Sequence, residues 1–151
     1  MSVLETVTGK RPKLIGTDLD GTIVAHYGFI SERTKIALSQ AHQAGIHIYF
    51  VTGRPIRWMV EIKNNFDFGT GICGNGAMLY DFINEKVLEE WLFSVENQKE
   101  AVKRLREVIP PVSFATEIGE NFHREKKYVP RWDIGADDPG VEKIEEAILD
   151  V

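Results

Sequence analysis

Asp18 and Asp20 sit one residue apart at the end of an apolar run, in the stretch IGTDLDGTIV at residues 15–24. Residues two apart in a strand point to the same side, about 6.5 Å apart along the chain. The two carboxylates are therefore expected to face one ligand. Unpaired they would repel each other, and a divalent cation removes that cost; hard oxygen ligands suit Mg²⁺. A carboxylate is also a competent nucleophile, able to form an aspartyl-phosphate. A neighbouring acid can then protonate the leaving oxygen and later activate water. Gly21 permits a sharp turn and exposes backbone N–H groups to a phosphate. Asp20-Gly21 also suits a type I′ hairpin. The residues after Thr22, with His26, Tyr27 and Gly28 close behind, make a poor partner strand for one.

Elements on either side must hold this pair in place. Leu14 to Thr17 read as a buried strand. Ser31 suits an N-cap, and a helix follows from Glu32 to Ala44 with Ala37, Leu38, Ala41 and Ala44 on one stripe. Gly45 closes it. Ile46 to Val51 is a second strand. Thr52-Gly53-Arg54-Pro55 turns into a helix that runs to about Asn65, with Pro55 near its first position. Gly71 to Cys73 form a short third strand before the turn GNGA. Strand and helix alternating in this way signify parallel βαβ units. Ligands of such sheets bind beyond the carboxyl ends of the strands. The turns DLDGT, TGR and GNGA all belong there, so Asp18, Asp20 and the Thr52 hydroxyl are expected to converge on one pocket.

The second half reads differently. Met78 to Tyr80 and Lys86 to Phe93 are expected strands around a turn at 81–85. Ser94 caps a helix, Val95 to Val108, with Val102, Leu105 and Val108 inward, and Pro110-Pro111 stops it. Val112 to Ile118 alternates like a strand. Residues 119–132 are basic and aromatic and read as a connection. Ile134 belongs near another strand, and Asp138-Pro139 opens a last helix with Val141, Ile144, Ala147 and Ile148 inward. The expected domains are 1–82, an α/β core, and 83–151, an α+β region.

Composition narrows the function. The chain has 151 residues, a formal net charge of -5 and 43% hydrophobic residues. An acidic balance argues against nucleic-acid or anionic-membrane partners. No apolar run approaches the roughly 20 residues that span a bilayer, and Met1 to Pro12 carry no signal-peptide core. Cys73 is the only cysteine, which excludes an internal disulfide. A cytoplasmic protein is expected. His26, His42, His47 and His123 show no ligand spacing, and Trp58, Trp91 and Trp132 read as packing residues.

DLDGT after an apolar strand resembles the first motif, Asp-x-Asp-x-Thr, of the haloacid dehalogenase-like (HAD) phosphohydrolase superfamily. AGIHIYFVTGRP looks like its second motif, a strand ending in Thr or Ser. GICGNGAMLYD resembles the Asn-Gly-Ala stretch of the Cof-type branch, which carries an α/β cap after the third core strand. The resemblance is strong over residues 13–82 and rests on pattern alone over 83–151. It implies a partial Rossmann-like parallel sheet core followed by a partial α/β cap. It also implies an Mg²⁺-dependent phosphatase acting on small phosphorylated metabolites, sugar phosphates first. Asp18 would be the nucleophile and a metal ligand. Asp20 would be the general acid/base and would offer its backbone carbonyl to Mg²⁺. Thr52 would hydrogen-bond the phosphoryl group beside the Gly53 N–H, and Arg54, Asn75, Gly76 and Gly21 would meet phosphate or substrate. The family completes its site with a lysine and a second acidic motif. GADDPG, residues 135–140, and Lys143 fill neither role convincingly. The chain is therefore expected to stop inside the cap and to be nearly inactive alone. It would then self-associate, or a partner chain would complete the core. A non-catalytic phosphate-binding module and a phosphosugar mutase are the competing readings.

Overall fold

The computed structural model describes residues 11–26, 28–119, 121–130 and 139–147. The chain divides into two compact units, Met1–Trp91 and Leu92–Val151.

The first unit holds a five-stranded sheet in the order β1-β2-β3-β4-β5. Its strands are β1 (Leu14–Asp18), β2 (His47–Val51), β3 (Thr70–Cys73), β4 (Met78–Asp81) and β5 (Lys86–Glu90). β1, β2 and β3 are parallel, as the alternation of strand and helix required. β4 and β5 return antiparallel. The α/β class is as expected, on a mixed rather than a wholly parallel sheet. The expected division at 82/83 lands inside the β4–β5 hairpin. Backbone pairing with β4 keeps β5 in the first sheet, and the compact unit runs on to Trp91.

Helix α1 (Glu32–Gln43) starts where Ser31 Oγ accepts the Thr34 N–H at 3.2 Å. It ends before Gly45, whose φ is 81°. Only Leu38 of the expected stripe is buried; Ala41 is half-buried, and Ala37 and Ala44 are exposed. The helix expected from Pro55 to Asn65 is broken. A 3₁₀ turn covers Ile56–Trp58 and α2 spans Val60–Asn65. Ile56, Met59 and Ile62 are all buried at a spacing of three, which a 3₁₀ turn presents on one side. Right-handed crossovers stepping one way along a sheet put both helices on the same face. Leu38 of α1 and Ile62 of α2 accordingly join Ile48 and Phe50 of β2 in one core cluster. Phe50 is fully buried and sits 5.2 Å from the Phe66 ring and 5.8 Å from the Phe82 ring. Leu14 and Val51 share the other face, where they are 53% and 40% exposed.

The second unit contains α3 (Val95–Val108), the antiparallel pair β6 (Ala115–Ile118) and β7 (Asn121–Arg124), and α4 (Ile144–Ala147). Ser94 caps α3 through the Asn97 N–H, as expected. Leu105 and Val108 are not inward; they are 45% and 80% exposed. The packed stripe runs instead through half-buried Val95, buried Val102 and half-buried Arg106. Arg106 turns it, because its guanidinium pairs with Glu125, only 3% exposed, and reaches Glu145 Oε1 at 2.6 Å. Glu125 also accepts the Phe114 N–H at 3.1 Å and the Ile144 N–H at 3.0 Å, so the buried charge is fully met. The strand expected from Val112 begins only at Ala115, and the expected connection 119–132 contains β7. The last helix starts at Ile144 rather than at Pro139, because Val141 is held extended by bonds to Arg124 and Lys126. Ile134, Trp132 and Ile148 lie outside the described residues. Trp91, expected to pack, is 56% exposed.

Burial pushes the Cys73 thiol up from 9.0 to about 11. A raised acid favours its neutral form in the fold, so this contribution is complete below the unfolded value of 9.0 and is lost as pH climbs through about 11. Unfolding free energy measured by urea titration is expected to fall across that window by roughly 1.4 kcal/mol per pH unit. Cys73→Ala should flatten the slope.

Candidate active site

The turn after β1 is built around buried residues. Leu19 is fully buried and Val24 is 1% exposed. The Leu19 carbonyl accepts the N–H groups of Thr22, Ile23 and Val24 at 3.1, 3.1 and 2.9 Å. Gly21, at φ 81°, lets the chain reverse so that its own N–H reaches the Val24 carbonyl at 2.9 Å. This is a tight wrap rather than a hairpin, and Asp20 bridges Val24 in the parallel sense. Anchoring Leu19 inward leaves Asp18 and Asp20 exposed on either side of it.

The two carboxylates have unlike surroundings. Asp18 accepts one hydrogen bond, from the Thr22 hydroxyl at 3.0 Å. Asp20 is clamped by Arg54, whose Nε reaches Oδ2 at 2.9 Å and whose Nη2 pairs with Oδ1. On its other side Arg54 Nη1 meets Glu61 Oε2 at 3.3 Å. The bonds to Asp20 hold the Arg54 guanidinium's proton above the usual arginine range, with Glu61 adding to the effect and burial opposing it.

The second and third turns are sewn together by backbone. Thr52 N donates to the Ile72 carbonyl at 2.9 Å, and the Thr52 carbonyl accepts from Asn75 N at 3.2 Å. Gly74 N donates to the Arg54 carbonyl at 2.9 Å. Thr52 is 5% exposed, and its Oγ1 accepts the Arg54 N–H at 3.1 Å, leaving the hydroxyl proton to donate elsewhere. A Cβ on Gly53 would stand 3.0 Å from Asn75 Oδ1, so glycine is what lets the amide lie against the turn. Asn75 takes a left-handed φ of 58°.

The structure thus gathers Asp18, Asp20, Gly21, Thr52, Gly53, Arg54, Asn75 and Gly76 at one sheet end. A cleft of 260 Å³ is lined by Asp20, Gly21, Val24, Ala25, His26, Gly28 and Arg54, without Asp18 or Thr52. The sequence pattern gives no part in a site to Ala25, His26 and Gly28 of this lining, nor to Thr22 or Glu61. Thr22 was legible as the threonine of DLDGT. Nothing in the chain's pattern singles out Glu61.

A family profile described as haloacid dehalogenase-like hydrolase matches residues 15–146. The chain belongs to the haloacid dehalogenase-like hydrolase family. It is 27% identical over 126 residues to YxeH of Bacillus subtilis, a protein named as a candidate phosphatase, covering 81% of this chain and 44% of YxeH. It superposes on BT1666 of Bacteroides thetaiotaomicron with a TM-score of 0.75 at 22% identity, over 99% of this chain and 57% of that one. It is also similar to BT4131, a sugar phosphatase of HAD subclass IIB, with a TM-score of 0.65 at 25% identity, over 91% of this chain and 55% of that one. The chain spans about half the length or less of the relatives it matches.

The HAD resemblance implies magnesium. Asp18 offers an exposed carboxylate and Asp20 a backbone carbonyl, while the Asp20 carboxylate is taken by Arg54. Among the described residues no group of three or more His, Cys, Asp or Glu is placed to hold a metal. One carboxylate and one carbonyl, completed by water and substrate oxygens, suit the hard, water-retaining Mg²⁺ ion. No helix among the described residues is long and apolar enough to cross a membrane.

A Cβ on Gly21 would meet nothing within 4 Å, so Gly21→Ala isolates backbone strain. The left-handed conformation is expected to cost about 1–2 kcal/mol, read from the denaturant midpoint at unchanged slope.

Proposed function

We propose that this chain carries the nucleophile-bearing part of an Mg²⁺-dependent phosphatase for small phosphorylated metabolites, sugar phosphates first. The observation that carries the reading is the unequal treatment of two neighbouring carboxylates. Asp18 is exposed with a single hydroxyl partner, and Asp20 is fixed by an arginine. One acid is left open to attack phosphorus while its neighbour is aimed.

In that reading an Asp18 oxygen attacks the phosphorus and the bond to the leaving oxygen breaks. Asp20, which pairs with Arg54 as a carboxylate, takes up a proton from solvent before the step and gives it to that oxygen. Asp20 then takes a proton from water as the water attacks the aspartyl-phosphate, releasing inorganic phosphate and restoring Asp18. The Thr52 hydroxyl, oriented by the Arg54 N–H, donates to a phosphoryl oxygen, and the Gly53 N–H and Asn75 amide flank it. Bound Mg²⁺ would supply positive charge to the phosphoryl oxygens, held by Asp18 and the Asp20 carbonyl. Phosphoryl transfer needs little else from a protein than positioning and charge. The likeness to BT4131 supports the sugar-phosphate class.

A second reading is a phosphate-binding module without turnover, and its support is that the Asp20 carboxylate is already engaged by Arg54 while the Thr52 hydroxyl proton stays available to a phosphate oxygen. Phosphate release from sugar phosphates, with and without Mg²⁺, separates the two. For the phosphatase, Asp18→Asn is expected to lower kcat by about 10³-fold or more. Thr52→Val should lower it by about 10²-fold, as for loss of one transition-state donor. Turnover in Asp18→Asn equal to wild type would remove the covalent mechanism. A protein of the relatives' full length that binds phosphate without releasing it from esters would establish the binding module.

A further inference from the structure

We infer that Arg54 is the positioning residue for Asp20, anchored from behind by Glu61, and that it does not grip the substrate's phosphoryl group. The inference deepens the phosphatase reading and rests on it for the role of Asp20.

Exposure argues for it first. The Arg54 side chain is 17% exposed and the Asp20 side chain 60%. Arg54 is also the better fixed of the two. Its N–H is bound to Thr52 Oγ1 and its carbonyl to Gly74 N, so the second and third turns hold its backbone at both ends. Asp20 sits on a turn with open solvent beside it. The more buried side chain of such a pair sets the position of the more exposed one. Arginine suits this, since its planar fork fixes both the distance and the plane of a carboxylate.

Valence argues for it next. A guanidinium can chelate an oxyanion along its Nε–Nη2 edge or its Nη1–Nη2 edge. Asp20 occupies the first, with Nε at 2.9 and 3.2 Å from the two oxygens, and Glu61 engages Nη1 of the second. Charge agrees with valence: one guanidinium between two carboxylates leaves the trio negative, which is a poor attractor for a phosphate dianion.

Glu61 completes the picture. Its side chain is 27% exposed, yet Oε1 is buried and meets no hydrogen-bond donor. A carboxylate oxygen left in that state costs free energy. Its neighbouring oxygen contacts Arg54, so what the charge accomplishes there is to hold the guanidinium's far side. Glu61 and Arg54 thus form a brace behind an acid that must reach the leaving oxygen.

Two measurements test the inference on the purified protein. In the first, the Arg54 Nε–H is followed by ¹⁵N NMR. A signal protected from exchange is expected, which Asp20→Asn abolishes and inorganic phosphate leaves in place. A saturable shift of that signal with inorganic phosphate overturns the inference. The second compares leaving groups. An alkyl phosphate needs a proton delivered to its leaving oxygen, whereas a dinitrophenyl phosphate leaves as a stable anion. Arg54→Lys is expected to lower kcat on the alkyl ester by about 10²-fold, the scale of general-acid catalysis. The aryl ester should lose far less, with KM unchanged on both. Glu61→Gln should act in the same direction and less strongly, and Arg54→Lys should add no further loss to Asp20→Asn. Equal losses on both esters, or a loss confined to KM, would make Arg54 a substrate ligand instead. A wild-type protein without Asp18-dependent turnover removes the phosphatase reading alone. The NMR titration then still decides whether Arg54 belongs to Asp20 or to phosphate.

Discussion

The in-phase register of the three parallel strands is the constraint on which the site depends. Asp18 lies opposite Val51, and Val51 opposite Ile72. All three strands therefore end at one level, and the turn after each begins at the same sheet edge. A slip of one residue in β2 would send Ile48 and Phe50 to the other face. Both are buried in the cluster that also holds Leu38 and Ile62. The apolar core thus enforces the register, and the register places Thr52 one residue beyond the partner of Asp18.

At that edge stability and chemistry use the same residues differently. Leu19 and Val24 are buried so that the residues between them are not. The Arg54–Asp20 pair lies partly in solvent, where ion pairs contribute little to stability. Its significance is geometric: it ties the first turn to the second, as the Thr52–Asn75 and Arg54–Gly74 bonds tie the second to the third. Three turns that share no sequence neighbours become one surface.

The second unit uses the same residue types for another end. Glu125 is almost wholly buried and receives two backbone N–H groups as well as Arg106. A buried pair of this kind is costly to break, because removing one partner strands a charge. Here it decides which side of α3 faces inward, and it overrides the apolar spacing of Val102, Leu105 and Val108.

Local chemistry was enough to read much of the chain. Ser31 and Ser94 announced their helices because an N-cap is satisfied within four residues. Parallel strands followed from β-branched runs separated by helical stripes. The spacing of Asp18 and Asp20 marked a turn that leaves both carboxylates exposed at the sheet's end, since residues on either side of a buried one face outward. Tertiary structure decided the rest, for reasons no short stretch contains. β7 exists because β6 offers it a partner, and α4 starts late because Val141 pairs with a strand far from it in sequence. Asp20 meets Arg54, 34 residues away, and Arg54 meets Glu61 across a broken helix. The sequence by itself determined which residues could do the chemistry, because residue type and spacing are local. Which acid stays open and which is clamped was decided by folding, because charge partners are chosen by proximity in space.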